Sequence, residues 1–174
     1  QMISDLRAAN AGIIGITVMY PETDRFGGDE VFTSWIKDNG IILSQVPSSK
    51  GRSDIAPYVG TAILGNGDPY NYAYKYDALV SNIKSLEDVA AGVGMVNTAI
   101  EVDNLVRRMP LITQINNQLY PSFPMELVRV LQNKLSYSMH VEETGIIDLM
   151  IPPYEPIKTD YTGSIWINFS NQFQ

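Results

Sequence analysis

Along the first fifty residues the apolar positions change their period three times. Ile3, Leu6 and Ala9 recur at helical spacing and Gly12 follows as a stop, which predicts a short helix. Residues 13–20, IIGITVMY, form a continuous β-branched run that ends at Pro21 and predict a strand buried on both faces. Residues 21–29 are polar and read as a loop. The pattern then returns to helical spacing over 30–39, with Asp29 as cap, Val31, Phe32, Trp35 and Ile36 as the apolar stripe, and Asn39-Gly40 as the close. A second buried strand follows at 41–46. Helix, strand, helix, strand is the order of a parallel sheet covered by helices.

Residues 47–77 lose this order. They are rich in Gly, Pro, Ser, Asn and Asp, carry five tyrosines, and read as one long loop. A short strand is predicted at 78–83 and a short helix at 85–92, with Ser85 as its cap. Two strand-like runs, 93–100 and 105–115, flank a turn at 101–104 and predict a hairpin. Asn116-Asn117 marks another turn. Ser122 caps a helix over 123–135, whose buried side is predicted to be Leu127, Val130 and Leu131. Short alternating strands complete the chain at 138–143, 145–152, 156–160 and 164–170. The fold class expected is α/β: a central mostly parallel or mixed sheet flanked by helices, with a β-hairpin-rich C-terminal part, in a single domain over 1–174.

Composition narrows the chemistry. The 174 residues are 45% hydrophobic, enough for a core, and carry a net charge of −7. A nucleic-acid groove needs a basic face, so that partner is excluded. There is no cysteine, which removes thiol catalysis, zinc–thiolate sites, iron–sulfur clusters and disulfides. No window reaches eighteen apolar residues. No cofactor, metal site or catalytic group is called for.

Several side chains still stand out. Asp24 and Asp29 sit in the loop after the first predicted parallel strand, where ligands of such sheets bind. Asp29 as a helix cap is the structural alternative. Tyr70, Tyr72, Tyr74 and Tyr76 alternate and would share one face if extended, suiting a sugar, an aromatic ligand or a partner, or else roofing the core. Arg107 and Arg108 could grip an anion, but neighbours on a strand point to opposite faces. One is expected to pair with Glu101 or Asp103 and the other to be solvated. His140, the single histidine, shares a strand face with Glu142; no nucleophile motif accompanies it. Gly92 and Gly94 do not complete a dinucleotide fingerprint and point to close backbone packing beside a neighbouring strand.

The stretch 90–131 adds a resemblance. Gly92, Gly94, Asn97, Asp103, Val106, Arg107, Arg108, Pro110, Leu111, Tyr120, Pro121 and Ser122 stand in the order of the central pattern of the type-two CHASE domain, a cyclase/histidine-kinase-associated sensory extracellular domain. Residues 8–24 and 151–169 are similar to its flanking segments. Asn104 replaces the usual turn glycine, and Thr17 stands where an acid is common. The family carries a further strand ahead of the first helix; without it, the sheet is expected to have an open edge. The resemblance implies an extracytoplasmic sensory input domain, tethered to a bacterial membrane by flanking helices and acting as a homodimer. It implies a cytoplasmic output such as an adenylate cyclase or a histidine or Ser/Thr kinase. The signal would be a small molecule or a stress. The rivals are a stand-alone α/β hydrolase, using Asp24, Asp29, Arg107 and His140, and a non-sensing interaction domain.

Overall fold

The apolar run Ile41–Leu43 can be satisfied only by burial on both faces, and the strand that carries it is the pivot of the fold. The computed structural model describes residues 2–53 and 59–169; the part of the predicted long loop at 54–58 and the last residue of the predicted final strand lie outside them. Strand β1 (Ile14–Ile16) runs parallel to one side of β2 (Ile41–Ser48). β6 (Gly92–Met95) pairs parallel with the other edge of β2, and β5 (Ala78–Val80) pairs antiparallel with the C-terminal end of β2. This is the expected mixed sheet, α/β in class.

Helices cover both faces of it. Helices α1 (Met2–Ala8), α2 (Asp29–Ile36) and α3 (Lys84–Glu87) send Ile3, Ile36 and Leu86 onto Ile14, Ile41, Leu43 and Val93. Helix α4 (Phe123–Leu131) takes the other face. That face is lined by glycine. A Cβ on Gly15 would lie 2.8 Å from the Phe123 ring, and one on Gly94 would lie 2.5 Å from the Phe123 Cα. The glycines of the central strip therefore make room for a helix, not for the neighbouring strand anticipated from the sequence.

Three further sheets follow. β9 (Ile112–Ile115) joins β10 (Gln118–Pro121) through Asn116-Asn117, both at positive φ, and pairs parallel with β4 (Tyr74–Tyr76). β7 (Ala99–Ile100), β8 (Val106–Pro110) and β14 (Ser164–Trp166) form the second, with Asn104 at φ 61° in the predicted hairpin turn. The third has the order β13 (Ile157–Lys158), β12 (Gly145–Met150), β11 (Tyr137–Glu142), β3 (Thr61–Gly65).

Several expectations change. β1 is three residues long and, among the described strands, pairs with β2 alone, so Gly15 is exposed and the predicted two-sided burial fails. The run 105–115 splits at Leu111 into β8 and β9, which belong to different sheets. The long loop contains β3, a 3-10 turn at Pro69–Asn71, and β4. Gly28, not Asp29, occupies the cap of α2, and Ile83, not Ser85, that of α3. On α2, Val31 and Trp35 face solvent while Ile36 is buried. On α4 the buried residues are Phe123, Met125, Glu126 and Arg129, and Leu131 is exposed.

Candidate functional site

The hairpin β7–β8 and strand β14 hold the densest charge cluster. Arg107 makes a two-pronged pair with Asp103, at 2.9 and 2.7 Å, on the turn side. Its side-chain hydrogen bond to Arg107 and the backbone N–H of Leu105 hold the Asp103 carboxyl below its usual range. Arg107 also lies 3.6 Å from Glu101, the carboxylate that Arg108 shares. Arg108 donates to Glu101 at 3.1 Å and to Asp160 at 2.9 Å, and its guanidinium lies 5.6 Å from the Trp166 ring centroid. The two arginines are therefore bridged by Glu101, and the expectation that one of them is solvated fails, since Arg108 is itself paired twice. Both guanidinium groups already hold carboxylates, so an incoming anion would have to compete with them.

Asp160 is the anchor of that network. Burial pushes its carboxyl up, yet hydrogen bonds from the Thr162 hydroxyl, the Ser164 N–H, Arg108 and the Thr162 N–H leave it below the ordinary value. It therefore fixes the turn 160–164 to the hairpin across 52 residues of sequence.

The acidic loop is built differently. The Asp24 carboxylate accepts from the N–H groups of Phe26 and Gly28, at 3.0 and 2.9 Å, and these lower its pKa. The Asp24 N–H donates to Asp29 at 2.9 Å. The two acids form a self-supporting turn at the start of α2. Asn82 accepts from the N–H of Tyr20, beyond β1, and donates to the Ser44 carbonyl within β2, tying the two segments together.

The tyrosines do not share one face. Asp68 accepts from the Tyr70 N–H and opens the 3-10 turn, which breaks the alternation. Tyr70 is exposed at that turn and borders a cleft of about 190 Å³ with Thr61, Ile63, Asn117 and Leu119. The Tyr72 hydroxyl donates to the Glu143 carbonyl. Tyr74 and Tyr76 lie on β4; Tyr76 packs on Leu79, Met95, Ile115 and Tyr120, and Tyr74 is within electrostatic reach of Arg108.

His140 lines a second cleft, of about 330 Å³, with Ser138 and Asp148. These are the residue types of a hydrolytic triad, but the connections are wrong. The Nε2 atom that would serve a nucleophile is 2.7 Å from Glu142, while Nδ1 is 4.0 Å from Asp148. Asp148 is itself held by Lys158 at 2.8 Å.

Nothing in the residue pattern signals one buried pair. Glu126 is wholly buried and is held by Arg129 at 2.9 and 2.8 Å. Arg129 also donates to the carbonyls of Ala91 and Lys134. Burial raises the Glu126 carboxyl above its usual value, and Arg129 pulls it back. The pair sits over Gly92, where a Cβ would meet a Glu126 oxygen at 2.5 Å. Two charges three residues apart on a helix ordinarily read as a solvated pair; only the Gly92–Glu126 juxtaposition could have suggested otherwise.

The family model of the CHASE2 domain matches residues 1–174, the whole of the chain. The chain belongs to the CHASE2 domain family. No curated protein and no solved structure matches the chain. CHASE2 domains are extracellular sensory modules of signalling receptors, sensory and not catalytic. Among the described residues no helix is long and apolar enough to cross a membrane, and no group of acids and histidine could hold a metal ion.

Proposed function

We propose that this CHASE2 domain is the extracytoplasmic input unit of a membrane-anchored bacterial receptor. Flanking helices tether it, and it works as a homodimer that governs a cytoplasmic adenylate cyclase or a histidine or Ser/Thr kinase. The observation that carries the reading is the family match along 1–174. The signal is a small molecule or a stress, and it acts through unequal affinity for two states of the domain or its dimer.

The proposed signal surface comprises the loop of Asp24 and Asp29, the residues Tyr70, Tyr72 and Tyr74, and the hairpin of Arg107 and Arg108. Support for this choice comes from the exposure of Asp24 and Tyr70 and from the cleft beside Tyr70. Loops set on a rigid sheet are where ligands are commonly met. Sequencing the complete reading frame tests the assignment. A hydrophobic helix before this segment and several after it, leading to a cyclase or kinase, are expected. A frame without any membrane span would overturn it.

A further inference from the structure

Strand β3 is an edge without the usual protection. Among the described strands it pairs only with β11, so alternate residues direct N–H and C=O groups away from the sheet. Natural edges of this kind are blunted by lysine, proline or an inward charge. Here residues 59–67, VGTAILGNG, contain no ionisable group and no proline. Ile63 and Leu64 remain 43% and 52% exposed.

The register shows what each side of the edge lacks. Thr61 and Ile63 pair with Tyr137 and Met139, which belong to the core, so Ile63 stands at the open end of a core layer. Beside it is the 190 Å³ cleft that Tyr70 and Leu119 complete. Ala62 and Leu64 pair with Ser138 and His140 on the outer face. There, two further clefts border the strand: one of about 380 Å³ reached by Ala62 and one of about 330 Å³ reached by Leu64. An added strand would find backbone partners and, on both faces, room for alternate side chains.

We propose that the occupant is β3 of a second copy of this chain, antiparallel, on a two-fold axis through Ile63. The strand is self-complementary about that residue. Thr61 faces Gly65, Ala62 faces Leu64 with small against large, and Ile63 meets Ile63 of the other copy. The second isoleucine then lies on the core side, against the cleft at Tyr70. Charge favours this contact over others between two copies. Each chain carries −7, so two copies repel, and β3 is a place where no charge has to be brought near its like. An isologous contact of this kind closes after two copies and joins the two four-stranded sheets into one of eight. This rests on the homodimeric sensor reading and gives that dimer its surface. It also places the proposed signal residue Tyr70 at the seam.

The absence of native cysteine makes a direct test possible. Opposed residues in an antiparallel pair have Cα atoms about 4.5–5.5 Å apart, within the roughly 4.4–6.8 Å that a disulfide spans. Ile63→Cys in the full chain should form a disulfide-linked dimer in air at micromolar concentration. It should do so about tenfold faster than Val102→Cys, whose site at the hairpin tip is fully exposed. Ile63→Lys should turn a dimer seen by sedimentation velocity into a monomer, because it opposes like charges across the axis. Its thermal midpoint, read at a concentration where the wild type is also monomeric, shows that the fold survives. If that variant does not fold, the cross-linking rates decide alone. Equal rates for the two cysteines would overturn the proposal. A wild-type dimer that survives Ile63→Lys would put the contact elsewhere and leave the homodimer standing. A monomer at every concentration would remove the surface and the dimer together, while the sensor assignment is judged separately by the reading frame.

Discussion

Arg108 on β8 and Asp160, 52 residues later, are joined by a 2.9 Å ion pair that binds the hairpin to the turn before β14. Asp160 is held below its ordinary value of 3.8. A carboxylate so depressed adds stability above its unfolded value, and that stability is lost as pH falls through the folded value. As pH falls below about 4 the wild-type thermal midpoint should therefore drop more steeply than that of Asp160→Asn. At pH 7 the variant should be less stable by about 2 kcal/mol, the scale of a hydrogen bond to a charged group. Melting curves across this range check both parts.

Breaking the buried pair on α4 should be severe. Arg129→Leu leaves the Glu126 carboxylate buried without its cation, a change that costs about 3–5 kcal/mol. Replacing both together, as Glu126→Leu with Arg129→Met, should recover most of that loss, since well-packed apolar residues can substitute for a buried ion pair. Urea denaturation of the three chains measures it. A double variant as unstable as the single one would contradict this account.

Two glycines should respond in opposite ways to alanine. At Gly94 the new methyl would meet the backbone of Phe123, which cannot rotate away, and a loss of about 1–3 kcal/mol is expected. At Gly12 nothing lies within 4 Å, φ is not in the left-handed region, and the change should be neutral or slightly stabilising. The difference between the two denaturation midpoints is the test.

Because Arg107 and Arg108 are already paired, inorganic phosphate at millimolar concentration should leave the thermal midpoint unchanged. A metabolite that binds at the loop of Asp24 and Asp29 or near Tyr70 should raise it, by several degrees once its concentration exceeds about a hundred times its Kd. Tyr70→Ala should abolish a shift arising at the cleft. A flat response across a broad panel would favour an interaction module over a small-molecule sensor.

Local pattern was enough for the parts of this molecule whose cause is local. The apolar run at 41–43 requires two-sided burial, and β2 is the centre of the sheet. Asn104 and Asn116-Asn117 tolerate positive φ, and the predicted turns lie there. Ser122 accepts from the Met125 N–H, so α4 begins where its cap required. What lay beyond the sequence depended on partners distant along the chain. β3 is a strand only because β11 pairs with it 76 residues further on, and a run of Gly, Ala, Ile and Leu has no period of its own. Asp160 acquires its role from a hairpin formed 52 residues earlier. Glu126 and Arg129 turn inward on α4 as a pair because Gly92 leaves them room, while Gly15 and Gly94 make room for Phe123. Periodicity records which residues avoid water on average; tertiary packing decides which charges can leave it together.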